Sequence, residues 1–90
     1  MRKVEYKRIP NRLRKYRKER GLKQKDVADI LGLKNTSMIS RWEKGACLPN
    51  SLNIFKLAAI YQTFVDALFF DFIRILKEKL LKKEEGVSKE

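Results

Sequence analysis

Gly32 and Gly45 bracket the stretch "LKNTSMISRWEK", which leaves room for one turn and one short helix. The segment before it, "QKDVADIL", places Val27, Ala28 and Leu31 at helical spacing on one face. The pair reads as two helices joined by a tight turn. The second can bury little, since it holds only Ile39 and Trp42 among its large apolar groups apart from Met38. With Ile39 turned inward, Thr36, Ser37, Ser40, Arg41 and Lys44 point outward and Trp42 sits at the border. A helix with so polar a face is predicted to lie against another surface.

The rest of the chain carries helical punctuation and no convincing strand. No segment alternates strictly, and neither Asn-Gly nor Asp-Gly occurs. Asn11 is a plausible cap for "RLRKYRKER", with Ile9, Leu13 and Tyr16 on one face and Gly21 at its end. Asn35 or Thr36 should start the third helix, and Gly45 should stop it. Pro49-Asn50-Ser51 is a turn and cap for "LNIFKLAAIYQ", whose Ile54, Leu57, Ala58 and Tyr61 face inward. Thr63-Phe-Val-Asp66 has the form of a capping box. From Phe64 the pattern runs to about Lys83. The prediction is all-α: five helices, the last one long, around one small core. Residues 1–10 form a basic N-terminal arm, 11–70 the compact domain, 64–83 an extended C-terminal helix and 84–90 a frayed tail. The arm reads either as a disordered start or as a segment lying along a polyanion.

Charge narrows the partners. The net charge is +11 over 90 residues, with no histidine. Residues 1–25 hold 12 Lys/Arg against 2 Glu, residues 26–73 hold 4 against 5, and residues 74–90 hold 6 against 4. A basic end on a nearly neutral middle suits DNA, RNA or an anionic membrane. Cys47 is the single cysteine, which excludes an intramolecular disulfide and suggests a reducing compartment. No metal-ligand cluster, activated nucleophile, signal peptide or membrane span is predicted, so no cofactor, metal or catalytic residue is expected.

Counted from Gln24, Ala28 lies four residues on and Gly32 another four, with Ile39 on the next helix. This is the arithmetic of a helix-turn-helix. Ala28 is small where the following helix crosses, and Gly32 lets the chain leave with positive φ. In a major groove, Arg41 is suited to guanine O6 and N7, and Thr36 and Ser37 to base edges or phosphates.

The stretches "LRKYRKERGLKQKDVADILG", "ISRWEKG" and "LPNSLNIFKLAAIYQTFVDALF" together resemble the lambda-repressor-like, Cro-type helix-turn-helix domains of phage and bacterial repressors. The resemblance covers roughly residues 11–70. It implies base contacts by Thr36, Ser37, Ser40 and Arg41. It implies phosphate contacts by Arg17, Lys23, Gln24, Asn35 and Lys44, and an Arg17–Glu43 pair tying the first helix to the reading helix. Two departures stand out. The turn "GLKNTSM" is one residue longer than usual, and Lys23 replaces the usual Ser or Thr before Gln24. The implied protein is a cytoplasmic repressor of bacterial, phage or mobile-element type, binding a pseudo-palindromic duplex.

Beyond Phe70 the apolar pattern continues. Phe69, Ile73, Leu76 and Leu80 form a short heptad seam, widened by Phe72 and Ile75. A homodimer through this helix is predicted, the other possibility being a helix folded back onto the core. Two further readings stay open. One is an antitoxin-type autorepressor that holds a small protein partner with its C-terminal helix. The other is a protein that lies on a membrane surface.

Overall fold

The computed structural model describes residues 7–87; the predicted arm's first six residues and the last three of the tail lie outside them. The described residues form α1 (Leu13–Glu19), α2 (Gln24–Leu31), α3 (Ser37–Glu43), α4 (Ser51–Tyr61), α5 (Val65–Leu68) and α6 (Phe70–Glu85). The all-α prediction holds.

Local signals start and stop these helices. The Asn11 side chain accepts from the Leu13 N–H at 3.0 Å, while its amide donates to the Ile9 and Trp42 carbonyls at 3.0 Å. It therefore opens α1 and ties that opening to the end of α3. Asn50 caps α4 by accepting from the Asn53 N–H at 2.8 Å. The exits of α1 to α4 share one pair of bonds. In α2, Gly32 N–H donates to Asp29 and Leu33 N–H to Ala28; in α3, Gly45 donates to Trp42 and Ala46 to Arg41. These satisfy carbonyls that a helix end leaves without partners.

Leu13, Val27, Ile39, Leu57 and Leu68 fill the centre of the core, each at most 1% exposed. Trp42 corrects the prediction: it is 3% exposed and belongs to the core, not to its border. The inner stripe of α3 is thus Ile39 and Trp42 together.

The predicted single helix from Phe64 is two helices. Phe69 leaves the helical region (φ −121°, ψ 34°), and the Leu68 carbonyl accepts from the Arg12 N–H at 2.8 Å. Arg12 also holds Asp71 through Nε at 3.1 Å and lies 4.9 Å over the Phe70 ring. The chain breaks where α1 takes over a helix carbonyl and the Phe69 ring enters the core. The capping box is absent as well. Thr63 still belongs to the exit of α4, donating its N–H to Ala58, and α5 begins with Phe64 at its boundary and no side-chain cap.

α6 reaches Glu85, and none of its residues is buried. From Lys77 to Val87 every residue is exposed, so the helix projects from the body instead of folding back on it. Of the seam, Phe69 is taken up by the core at 5% exposure, and Phe72 packs partly against it. Ile73 and Leu80 remain 39% and 61% exposed.

Gly45 has a second duty besides its φ of 78°. The Ile9 N–H donates to its carbonyl at 2.9 Å, and a Cβ built on Gly45 falls 2.5 Å from Ile9 O and 2.7 Å from Ile9 N. Gly32 has a similar φ of 77° but open space around it. Gly32→Ala should therefore cost the left-handed strain alone, about 1–2 kcal/mol. Gly45→Ala should cost clearly more and loosen the strand of chain around Ile9. Urea unfolding of the two variants tests the ordering; equal costs would mean that the crossing at Ile9 yields easily.

Candidate nucleic-acid interface

The two helices α2 and α3 meet through their inner faces, where Val27 and Ala28 face a core shared with Ile39 and Trp42. That leaves the opposite side of α3 outward. Ser37, Arg41 and Lys44 are exposed and Ser40 is half-buried. Arg41 makes no ion pair among the described residues, so its guanidinium is available. Thr36 is half-buried at the helix boundary and makes no side-chain cap bond. The start of α3 is held by Asn35 instead, whose side chain accepts from the Ser37 N–H at 2.9 Å.

Three helices converge behind this face. Arg17 Nε donates to Glu43 Oε2 at 2.6 Å and Nη2 to Oε1 at 3.1 Å, while Nη1 donates to the Leu22 carbonyl at 2.9 Å. Gln24 Nε2 donates to the same Glu43 Oε1 at 3.0 Å. The Arg17 and Glu43 side chains are 9% and 6% exposed. One carboxylate of α3 therefore accepts three bonds from α1 and α2. Hydrogen bonding to Glu43 raises the Arg17 pKa further. Burial, and then the charge of Glu43, push the Tyr61 phenol up, so it stays neutral beside the pair. A forked pair of this kind fixes orientation as much as it attracts.

The family comparison agrees with this architecture: a helix-turn-helix family model matches residues 13–64. The chain belongs to the lambda-repressor-like helix-turn-helix family. No curated protein and no solved structure matches it. As a helix-turn-helix protein of this kind, it is a DNA-binding regulator of transcription. Among the described residues, no helix is long and apolar enough to cross a membrane.

In this helix-turn-helix, the predicted residues fall into two sets. Ser37, Ser40, Arg41 and Lys44 share the outer side of α3 with the exposed cap Asn35. Lys23 is exposed at the boundary of α2, where its N–H donates to Asp26 Oδ2 at 2.8 Å. That bond satisfies the Lys23 N–H, while Lys23 provides no side-chain cap of its own. Arg17 and Gln24 are different. Both are engaged with Glu43, and Arg17 is buried at 7% exposure. Arg8 and Arg14 went unnoticed in the sequence. Arg8 Nη1 donates to the Lys44 carbonyl at 3.3 Å, which sets the described end of the basic arm beside the exit of α3. Arg14 stands one turn ahead of Arg17 and opens onto the space between α1 and α3. That three-residue spacing was the available signal.

Proposed function

We propose that this protein is a sequence-specific repressor that places α3 in the major groove of double-stranded DNA and binds as a homodimer. The observation that carries the reading is the division of α3. Ile39 and Trp42 are buried, Glu43 is locked to α1 and α2, and Ser37, Ser40, Arg41 and Lys44 are left facing outward. Small hydroxyl residues permit close approach to base edges, and Arg41 supplies a two-donor fork. Thr36, Ser37, Ser40 and Arg41 read bases. Lys23, Gln24, Asn35 and Lys44 hold phosphates, and Arg17 serves chiefly to position Glu43 and Gln24. Repression follows from occupancy of the operator.

The dimer rests on α6. Its apolar stripe continues from the core through the exposed Ile73, the half-buried Leu76 and the exposed Leu80, and exposed apolar surface of this kind marks an interface. A two-fold pair would set two reading helices on half-sites about 34 Å apart. The same stripe would suit a toxin partner in an antitoxin-type autorepressor; co-purification of a second small protein would favour that reading.

Selection of bound duplexes from a random pool tests the function. One enriched, pseudo-palindromic sequence is expected, and uniform retention of all duplexes would contradict the reading. Arg41→Ala should then lose ~1–3 kcal/mol on the selected site and relax preference at one base pair per half-site. An unchanged preference would mean that another residue of α3 reads that pair.

A further inference from the structure

The direction of α6 is decided at its first turn, because every residue from Lys77 to Val87 is exposed. Arg12 grips that turn. Its N–H donates to the Leu68 carbonyl at the end of α5 at 2.8 Å. Its Nε and Nη2 fork onto the Asp71 carboxylate at 3.1 and 3.3 Å, and its guanidinium lies 4.9 Å over the Phe70 ring. We propose that this grip sets the angle between α6 and the reading helix, and thereby the half-site spacing that the dimer accepts. The proposal rests on the reading of α6 as the dimer seam, and it makes Arg12 and Asp71 positioning residues for the choice of operator.

The first turn of α6 is held from two sides. Phe69 is buried in the core and Phe72 packs partly against it. On the helical wheel, Phe70 and Asp71 lie across the helix from these two. The core therefore anchors one side and Arg12 the other, and without Arg12 the helix would turn about a one-sided anchor. Arg12 stands at the opening of α1, and Arg17 of α1 is forked onto Glu43 of α3. A line of named bonds thus runs from the reading helix through α1 to α6. Both forks fix orientation as well as distance. The Arg12 and Asp71 side chains are 38% and 34% exposed, so their pair adds little to stability and its consequence is direction. Both residues lie outside the stretch shared with the family, residues 13–64.

The geometry makes spacing sensitive to this angle. Leu80 lies nine positions beyond Asp71, about 14 Å along the helix axis. A tilt of about 15° at the junction moves Leu80 by about 3.6 Å, close to one base-pair step of about 3.4 Å. In a two-fold pair joined through α6, both bodies swing together, so the two reading helices separate or approach by a comparable distance.

Arg12→Gln, Arg12→Lys, Asp71→Asn and the double variant Arg12→Gln with Asp71→Asn, made in the full chain, test the grip. The probes are the selected palindrome, the same duplex with its central spacer one or two base pairs longer or shorter, and an isolated half-site. The parent should lose roughly tenfold or more in affinity at a one-base-pair change, because the second half-site falls out of reach of the linked reading helix. Arg12→Gln and Asp71→Asn should each narrow that discrimination by roughly threefold or more, as a looser junction lets the pair adapt. Arg12→Lys, which keeps the charge and loses the fork, should fall between them and the parent. Half-site sequence preference, urea midpoint and dimer dissociation constant should stay close to the parent's. Charge does not explain such a result: Arg12→Gln removes a positive charge and Asp71→Asn a negative one, so a general electrostatic effect would move the two in opposite directions. The double variant should match Arg12→Gln, since removing the second partner of a broken fork changes nothing further. Single variants with the parent's spacing profile overturn the proposal and leave the α6 dimer standing. Weakened dimers in the variants would make the fork part of the interface itself and also overturn it. A parent that is monomeric by sedimentation equilibrium overturns the dimer reading and this proposal together.

Discussion

Glu43→Ala is expected to destabilise the fold by about 3–5 kcal/mol and to remove DNA binding with it. The carboxylate is 6% exposed and is the shared acceptor of Arg17 and Gln24. Removing it leaves the Arg17 guanidinium buried with the Leu22 carbonyl as its remaining bond. A buried charge without its partner costs more than the pair itself contributes, because the desolvation penalty persists when the attraction is gone. A pair on the surface would be worth only ~0–1 kcal/mol, so burial decides the magnitude. Arg17→Met combined with Glu43→Met should recover most of the lost stability, since neither charge then remains buried. It should not restore binding, because Gln24 would still lack its acceptor and α3 its tie to α1. Urea unfolding of the two single variants and the double variant measures the coupling. A loss below about 1 kcal/mol for Glu43→Ala would place the pair among ordinary surface contacts.

Leu76→Asp with Leu80→Asp should yield a folded monomer whose affinity for a full palindrome is lower by roughly 10²–10⁴. Leu80 is 61% exposed and Leu76 half-buried, so the body of the domain loses little packing. Two carboxylates per chain facing their counterparts across a seam would be desolvated and mutually repelled. Each half-site would then bind independently, and the gain from linked binding would vanish. Sedimentation equilibrium reads the association directly. A parent that stays monomeric at roughly tens of micromolar would remove the α6 interface from the proposal; at such a concentration a dimer with a micromolar dissociation constant is well populated. A dimeric double variant would move the interface elsewhere, the exposed Leu52 and Phe55 of α4 being the next apolar surface.

The sequence by itself determined the helix-turn-helix. Gly32 and Gly45 at the ends, Asn35 and Asn50 at the starts, and Ile39 at the centre act through atoms within a few residues of themselves, and such signals are written locally. The pairing of Arg17 with Glu43 was also readable, but through the family resemblance, since 26 residues separate the two. The tertiary structure decided what distant partners control. The helix from Phe64 breaks because Arg12 takes the Leu68 carbonyl and reaches Asp71, 59 residues away. Periodicity from Phe64 to Lys83 runs through that break unaltered, so no local pattern marks it. Trp42 is core because α3 lies deep enough to cover both it and Ile39. Arg14 and Arg17 are the same residue type three positions apart on one short helix. One is exposed beside a recess and the other is buried against a carboxylate, and that difference comes from where α3 crosses α1.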